Sequence, residues 1–286
     1  MATLRAIRKR IKSAKNIQQI TKAMKMVAAA KLRKAQERIL ASRPYAIKIQ
    51  EVISELISGT EITSYPLLNE NKDVEKEALI LITSDKGLCG SFNSNLIKEG
   101  LLKLKENNNI NLILIGKKGL DFFKRFNREI ELFKYNDKRI SWFDIEEIGN
   151  LVINNFLNKK YKKVTLINSE FQTSLLQKIV KKVILPVSFE FSQQDKSGIK
   201  RNFIYEPNER EVLLSLIEKY IKSNIYRAIL ETQASEHGVR MVAMEMATNN
   251  AGEMIKSLTL IANKVRQASI TKEILEIVGG AEAIKA

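Results

Sequence analysis

The sequence contains few of the residues that end helices or cross-link a chain. Its 286 residues include 12 glycines, 4 prolines, 1 cysteine and 1 histidine. A single cysteine, Cys89, excludes an intrachain disulfide and is typical of proteins in a reducing compartment. One histidine with one cysteine also argues against a structural zinc site. The scarcity of glycine and proline favours long, uninterrupted elements with few turns.

Long hydrophobic runs are missing as well. The longest purely apolar runs, such as ALILI at 78–82, have five residues, whereas a membrane-spanning helix needs about 20. Any membrane association is therefore expected to be peripheral. The basic, acid-poor amino terminus has the composition of a mitochondrial transit peptide. Its helical pattern continues past residue 50, however, so we expect it to be part of the folded protein.

The net charge of +16 is concentrated at the amino terminus. Residues 1–50 contain fourteen Lys or Arg and one acid, Glu37, which gives +13. A local charge of this size favours an acidic partner, which could be nucleic acid, an anionic lipid surface or an acidic protein groove. The alternative is a solvated helix face in a protein that is generally rich in lysine.

Both ends of the chain have the periodicity of long amphipathic helices. Apolar residues in steps of three and four predict a helix over 3–57, about 80 Å long, interrupted by Pro44 and ending at Gly59. The same spacing predicts a helix over 209–277, on the order of 100 Å. The predicted stripes are Leu4, Ile7, Ile11, Ala14, Ile17, Ile20, Met24 and Val27, and then Met244, Ala247, Ala251, Ile255, Leu258, Ala262, Val265 and Ala268.

Neither stripe could be buried inside a compact domain of this size, so we expect the two helices to pair as an antiparallel coiled coil. The steps from Ala14 to Ile17 and from Ile17 to Ile20 depart from a strict heptad and would locally overwind the coil.

The middle of the chain has a different texture. Short β-branched runs at 78–84, 110–116 and 163–169 alternate with helical stretches near 92–106, 117–127, 144–160 and 172–182, and 186–191 could add a strand. This alternation predicts a small, mainly parallel sheet with crossover helices. The predicted organisation is therefore a coiled-coil helix over 1–59, a linker over 60–76, an α/β body over 77–200 and a second coiled-coil helix over 201–286.

The turn ITSDKGLCGSFN at 82–93 is the main candidate for chemistry. It follows a predicted strand and opens a helix, which is where α/β proteins often bind phosphate. It matches neither of the common glycine-rich nucleotide motifs, and a tight structural turn is the simpler interpretation. Cys89 lies in this turn, but His237, on a distant helix, is poorly placed to serve as its base. No catalytic, cofactor-binding or metal-binding residue is predicted.

Four motifs in order resemble the gamma subunit of the bacterial F-type ATP synthase. They are ITKAMKMVAAAKLRKAQ at 20–36 with SRPY at 42–45, TSDKGLCGSFN at 83–93, YEPN at 205–208, and ITKEILEIVGGAEAI at 270–284. The resemblance covers essentially the whole chain. It implies a non-catalytic rotor shaft, peripheral to the cytoplasmic face of the cell inner membrane, that couples proton-driven rotation of a c-ring to ATP synthesis.

The partners that this resemblance implies are three alpha and three beta subunits around one gamma, an epsilon subunit and the c-ring, with no nucleic acid and no cofactor. It also implies two groups of contact residues. Those facing the alpha and beta subunits are Met24, Lys25, Arg240, Gln267, Thr271 and Glu273, and those at the foot, near the c-ring and epsilon, are Tyr205 and Glu206.

Two other functions remain open from the residues alone. A basic coiled hairpin could bind a nucleic acid backbone in a salt-dependent manner. An α/β enzyme could use the turn at 84–91, with the hairpin as a docking arm.

Overall fold

The computed structural model describes residues 3–57, 65–126, 128–136, 140–173, 176–188, 206 and 208–285. The chain divides into two compact units, residues 1–28 with 241–286, and residues 29–240. Helices α1 (Leu4–Ile57) and α5 (Glu209–Lys285) contribute to both units. Pro44 lies inside α1 without ending it, whereas the predicted stop at Gly59 lies outside the described residues.

The unit formed by residues 29–240 contains a five-stranded sheet in the order β3-β2-β1-β4-β5. Strands β1 to β4 are parallel, and β5 pairs antiparallel with β4. The predicted fold class, a mainly parallel sheet combined with long terminal helices, is confirmed. The strands are β1 (Glu77–Ile82), β2 (Ile110–Ile115), β3 (Ile130–Lys134), β4 (Lys163–Phe171) and β5 (Gln177–Leu185).

Helices cover both faces of this sheet, which explains why β1 and β2 are almost entirely apolar. One face packs against α2 (Phe92–Glu106) and α3 (Lys117–Phe123). The other face packs against α4 (Trp142–Leu157), against residues 49–57 of α1 and against residues 213–229 of α5. The core therefore fixes one segment of each long helix to the sheet.

The predicted helix over 172–182 is wrong, because this region contains the edge strand β5. Its apolar residues Ile179, Val180, Val183 and Ile184 occur in adjacent pairs four residues apart, which also suits a helix face. The lysines of the strand, Lys178, Lys181 and Lys182, are exposed and are typical of a protected sheet edge. Residues 186–188 are not in a strand, and the rest of the predicted strand 186–191 lies outside the described residues. Strand β3 was not predicted.

In the other unit, the first part of α1 packs antiparallel to residues 244–265 of α5. Thr248 Oγ1 donates to Thr21 Oγ1 at 2.7 Å, and Lys25 Nζ lies 2.6 Å from Glu245 Oε1. Farther along, a Cβ built on Gly252 would lie 3.0 Å from the Gln18 side chain. Since the α5 partner number rises as the α1 number falls, the two segments are antiparallel, as predicted for a coiled coil.

Burial along α1 follows a strict seven-residue repeat, which corrects the predicted stripe. Gln18, Thr21 and Lys25 lie in the seam, while Ile17 and Ile20 are more than half exposed. The prediction failed because it followed apolar residues only and missed polar residues that pair across the helices. The positions of this repeat are Leu4, Ile7, Ile11, Ala14, Gln18, Thr21, Lys25 and Ala28, and the predicted Met24, beside Lys25, is half-buried as well.

The predicted stripe of α5 is confirmed from Met244 to Val265, where every predicted position is buried or half-buried. From residue 266 to residue 281 every residue is exposed, including Ala268. Within the described part of the chain, no helix combines the length and apolarity required to cross a bilayer.

Candidate functional site

The carboxyl end of the sheet is where an open α/β fold usually binds a ligand, at the point between β1 and β4 where the strand order reverses. Helix α5 lies at this point. The backbone amide of Ser169 donates to Thr232 Oγ1 at 3.3 Å, and that of Phe171 donates to Glu231 Oε2 at 3.1 Å. Side chains of α5 therefore satisfy the amides at the end of β4, which a ligand would otherwise contact.

The end of β1 is connected to α5 through an asparagine. Asn136 Nδ2 donates to the carbonyl of Thr83 at 2.7 Å. Gln233 Nε2 in turn donates to the carbonyl and the side-chain oxygen of Asn136, at 2.9 and 3.0 Å. Thr83, Asn136 and Thr232 are almost completely buried, so this end of the sheet is closed by the chain itself. The arrangement counts against an α/β enzyme with its site at this end.

The turn between β1 and α2 (residues 83–91) is held by a network of side chains. Ser84 Oγ donates to the carbonyl of Lys86 at 2.7 Å and also contacts Asn93. Leu88 has φ of 61°, a left-handed conformation that is uncommon outside glycine. Gly90 has φ of 54°. The turn is therefore specifically shaped, and Leu88 at its tip is 62% exposed.

Arg240 of α5 reaches this turn. Its Nε and Nη2 donate to the carbonyl of Gly87 at 3.3 and 3.2 Å, and Nη2 also donates to the carbonyl of Lys86 at 3.2 Å. Nη1 forms an ion pair with Glu236 Oε1 at 2.6 Å and lies 3.2 Å from His237 Nδ1. Both charged side chains are nearly buried, since only 11% of Arg240 and 6% of Glu236 is exposed.

Cys89 does not have the environment of an activated nucleophile. Its side chain is buried, and Asn93 Nδ2 donates to its sulfur at 3.2 Å. Burial raises the pKa of the Cys89 thiol above its ordinary value, and the nearby Arg240 charge opposes this shift only in part. Among the described residues, no group of three or more His, Cys, Asp and Glu is arranged to hold a metal ion.

The structure places the residues predicted to contact partners in several different environments. Met24 is half-buried on α1, and Lys25 is ion-paired with Glu245. Arg240 is buried against the turn of its own chain. Glu206 is exposed, and Tyr205 lies outside the described residues.

The remaining three predicted residues lie on the exposed last part of α5. Thr271 Oγ1 donates to the carbonyl of Gln267 at 3.0 Å, and Ser269 Oγ donates to Glu273 at 3.3 Å. These hydrogen bonds run along α5 itself, so the side chains remain presented to the outside. The exposed apolar residues of the same segment are Ile270, Ile274, Leu275, Ile277 and Val278.

Sequence reasoning missed two features of these surfaces. The first is an exposed apolar stripe beside the seam, formed by Ile17, Ile20 and Val27, which are 53%, 59% and 58% exposed. The sequence signal of this stripe is that Ile17 and Ile20 each lie one residue away from a position of the seven-residue repeat. The second is the Glu236–Arg240 pair, for which the spacing of four residues on a helix was the available signal.

Comparisons with known proteins agree with this architecture over the whole chain. The family model described as ATP synthase matches residues 3–284. ATP synthase gamma chains of Desulforamulus reducens and Heliobacterium modesticaldum are each 43% identical to it, and the alignments cover 100% and 99% of this chain and all of each relative.

Solved structures are similar as well. A chain from the central stalk and c-ring of the mitochondrial ATP synthase of Tetrahymena thermophila matches with a TM-score of 0.61 and 28% identity, over 80% of this chain and 99% of that one. A chain of the Euglena gracilis mitochondrial ATP synthase matches with a TM-score of 0.68 over 98% of this chain and 94% of that one; at 21% identity it supports the fold alone. The chain therefore belongs to the ATP synthase gamma chain family.

Proposed function

We propose that this chain is the central rotor shaft of an F-type ATP synthase. It transmits the proton-driven rotation of a c-ring to three alpha and three beta subunits, and thereby drives the catalytic beta sites through their conformations. It binds epsilon at its foot and has no active site of its own. The complex places it at the cytoplasmic face of the cell inner membrane, as a peripheral subunit.

The observation that best supports this proposal is the exposed apolar stripe of Ile17, Ile20 and Val27, with half-buried Met24 at its edge. Apolar residues in steps of three and four normally form one buried face of a helix. Here the seam with α5 follows a different set of residues, so this second stripe is left outside it. A helix with one seam and a second apolar stripe is suited to contact further subunits while remaining paired with α5.

The positive charge of α1 indicates that the neighbouring subunits present acidic groups to it. Residues 1–28 contain eight Lys or Arg and no acid, and Lys25 is the one whose described ion pair reaches α5. Basic side chains spread around α1 attract acidic loops of each neighbouring subunit in turn and do not bind one of them exclusively. Coupling additionally requires contacts that differ between beta conformations, because uniform binding would shift none of them.

The individual contacts remain proposals. Met24 and Lys25 are proposed to face the beta subunits, together with Gln267, Thr271 and Glu273 on the exposed end of α5. The resemblance also assigns Arg240 to this group, although its guanidinium is buried within this chain. Tyr205 and Glu206 are proposed to lie at the foot, toward epsilon and the c-ring.

Reconstitution tests the function as a whole. The purified chain is mixed with alpha and beta subunits, and ATP hydrolysis is measured with and without it. We expect a stable complex with one copy of this chain per three alpha–beta pairs and hydrolysis that depends on its presence. Equal hydrolysis without the chain, or binding to arbitrary DNA in place of these subunits, would contradict the proposal.

Replacing Met24 by lysine tests the proposed beta contact. The new charge would enter a half-buried position of the stripe, so proton pumping by membrane vesicles should decrease relative to ATP hydrolysis. The matched control is Met26→Lys, because Met26 is 64% exposed and lies two residues away on another side of α1. If the two variants pump equally well, Met24 has no special role in coupling.

A further inference from the structure

The turn between β1 and α2 is fixed from a helix about 150 residues away in the sequence. Arg240 donates three hydrogen bonds to the carbonyls of Lys86 and Gly87, while Glu236 neutralises its charge at 2.6 Å. Both side chains are nearly buried, so neither is available to form a broad contact surface with another subunit. Their contacts explain instead how the turn keeps its unusual backbone.

That backbone would not hold its shape without support. Leu88 adopts the left-handed region, which costs free energy for a residue other than glycine, and strained residues of this kind persist only where their surroundings fix them. The surroundings here are Arg240 on one side of the turn and Ser84 with Asn93 on the other. As a result Leu88 projects outward while Cys89 is directed into the core.

We propose that Arg240 is a positioning residue for coupling and acts through this turn. With Glu236 as its counter-ion, Arg240 holds the carbonyls of Lys86 and Gly87 so that the exposed tip, Lys86 to Leu88, is presented to a neighbouring subunit in one fixed shape. The inference rests on the proposed rotor function and refines it, since it replaces a direct contact by Arg240 with an indirect one.

The chemistry of arginine is specific to this arrangement. A planar guanidinium can direct Nε and Nη2 at adjacent carbonyls and keep Nη1 for a carboxylate, whereas an ammonium group has no such fork. Arg240→Lys would therefore keep the positive charge but lose the grip on the turn. Glu236→Gln would keep the shape of the pair but leave the buried guanidinium without its counter-ion.

Cys89 provides a direct readout of the turn. It is the only cysteine of the chain and is 2% exposed, so an alkylating reagent such as N-ethylmaleimide reacts only when the turn opens. The mass of the full chain then reports the reaction. Arg240→Lys should accelerate alkylation of Cys89 at least about tenfold, which corresponds to a decrease of ~1.4 kcal/mol in the free energy required to open the turn. Glu236→Gln should accelerate it by a smaller factor.

The same variants are then assembled with alpha and beta subunits and the membrane sector, and proton pumping is compared with ATP hydrolysis. We expect pumping per ATP to fall in the order of the alkylation rates. Arg33→Lys is the matched control, because Arg33 forms an exposed pair with Glu37 at the same spacing of four residues; it should change neither quantity.

Three outcomes would overturn the inference. If Arg240→Lys lowers proton pumping per ATP while the rate of Cys89 alkylation stays within about twofold of the wild type, Arg240 contacts a neighbouring subunit directly. Faster alkylation with normal coupling would mean that the shape of the turn is irrelevant to rotation. If circular dichroism shows that Arg240→Lys does not fold, the test depends on Glu236→Gln alone. A normal rate of Cys89 alkylation together with normal proton pumping per ATP in that variant would overturn the inference. Failure of the rotor function itself would appear separately, as wild-type chain that does not activate hydrolysis.

Discussion

The ion pair between Lys25 and Glu245 allows a quantitative test of the seam and of the proposed beta contact together. The two charged atoms are 2.6 Å apart, but the side chains remain 37% and 49% exposed. Exposed pairs of this kind contribute about 0.2–1 kcal/mol, because water screens the attraction and two long side chains must be ordered. We therefore expect a coupling energy of ~0.5 kcal/mol between these residues in the folded chain.

A double-mutant cycle measures this quantity. Lys25→Ala, Glu245→Ala and the double variant are unfolded in urea, and the free energies of unfolding are compared. The coupling energy should fall to about half in 1 M salt, because the screening length of about 3 Å is then comparable to the 2.6 Å separation of the charged atoms. A coupling energy above about 2 kcal/mol, or one that does not respond to salt, would refute the treatment of the pair as solvent-screened.

Measurements of proton pumping per ATP distinguish a role of Lys25 in the seam from a role in contacting a beta subunit. If it acts only within the seam, Lys25→Gln and Glu245→Gln should lower proton pumping per ATP equally. If it also faces an acidic group of the beta subunits, as proposed, Lys25→Gln should lower pumping more than Glu245→Gln does. Equal losses in membrane vesicles would remove Lys25 from the proposed contact.

Two further predictions concern the α/β body. Gly116 has φ of 104°, and a Cβ there would lie 2.2 Å from the carbonyl oxygen of Thr83, so Gly116→Ala should lower the free energy of unfolding in urea by at least about 2 kcal/mol. The control Gly87→Ala, whose nearest neighbour would be 4.0 Å away, should stay within about 0.5 kcal/mol, and similar losses in both would contradict this explanation. Ser141→Ala should cost about 1 kcal/mol because it removes the capping box at the start of α4. Hydrogen bonds from Ser141 lower the pKa of Asp144 below its ordinary value of 3.8, so the part of this contribution that depends on the Asp144 carboxylate is complete above that pH and is lost as the pH falls through the lowered pKa. The difference between the variant and the wild type should narrow as the pH falls below 3.8, and a difference that widens there would refute the assignment.

The elements that were predicted correctly are those whose local pattern has one solution. Strands β1 and β2 are short, almost entirely apolar runs with helical stretches between them, which is the pattern of parallel strands buried on both faces. The long helices follow from the near absence of glycine and proline. Strand β5 was mistaken for a helix because an edge strand is only half-buried, and its lysines obscure the two-residue period.

The seam of α1 shows a different limit. Apolar spacing alone selects Ile17 and Ile20, whereas the folded helix places Gln18 and Thr21 against α5. A polar residue is stable in a seam only when it has a hydrogen-bond partner on the other helix, as Thr21 has in Thr248. The spacing of residues within α1 does not reveal such a partner. The role of Arg240 was hidden for the same reason, because its carbonyl partners at 86 and 87 are distant in the sequence.

The terminal stretch of α5 from 266 to 281 buries none of its side chains against the rest of the chain. Because this stretch continues α5, it needs no new helix nucleus, but its own backbone hydrogen bonds and helix propensity are all that hold it, so it should fray from its carboxyl end. In the unassembled subunit its backbone amides should exchange with deuterium faster than those of residues 244–265, whose stripe is packed against α1. Incorporation into a larger complex should slow that exchange, because contacts with the surrounding surface then offset the entropic cost of ordering this segment.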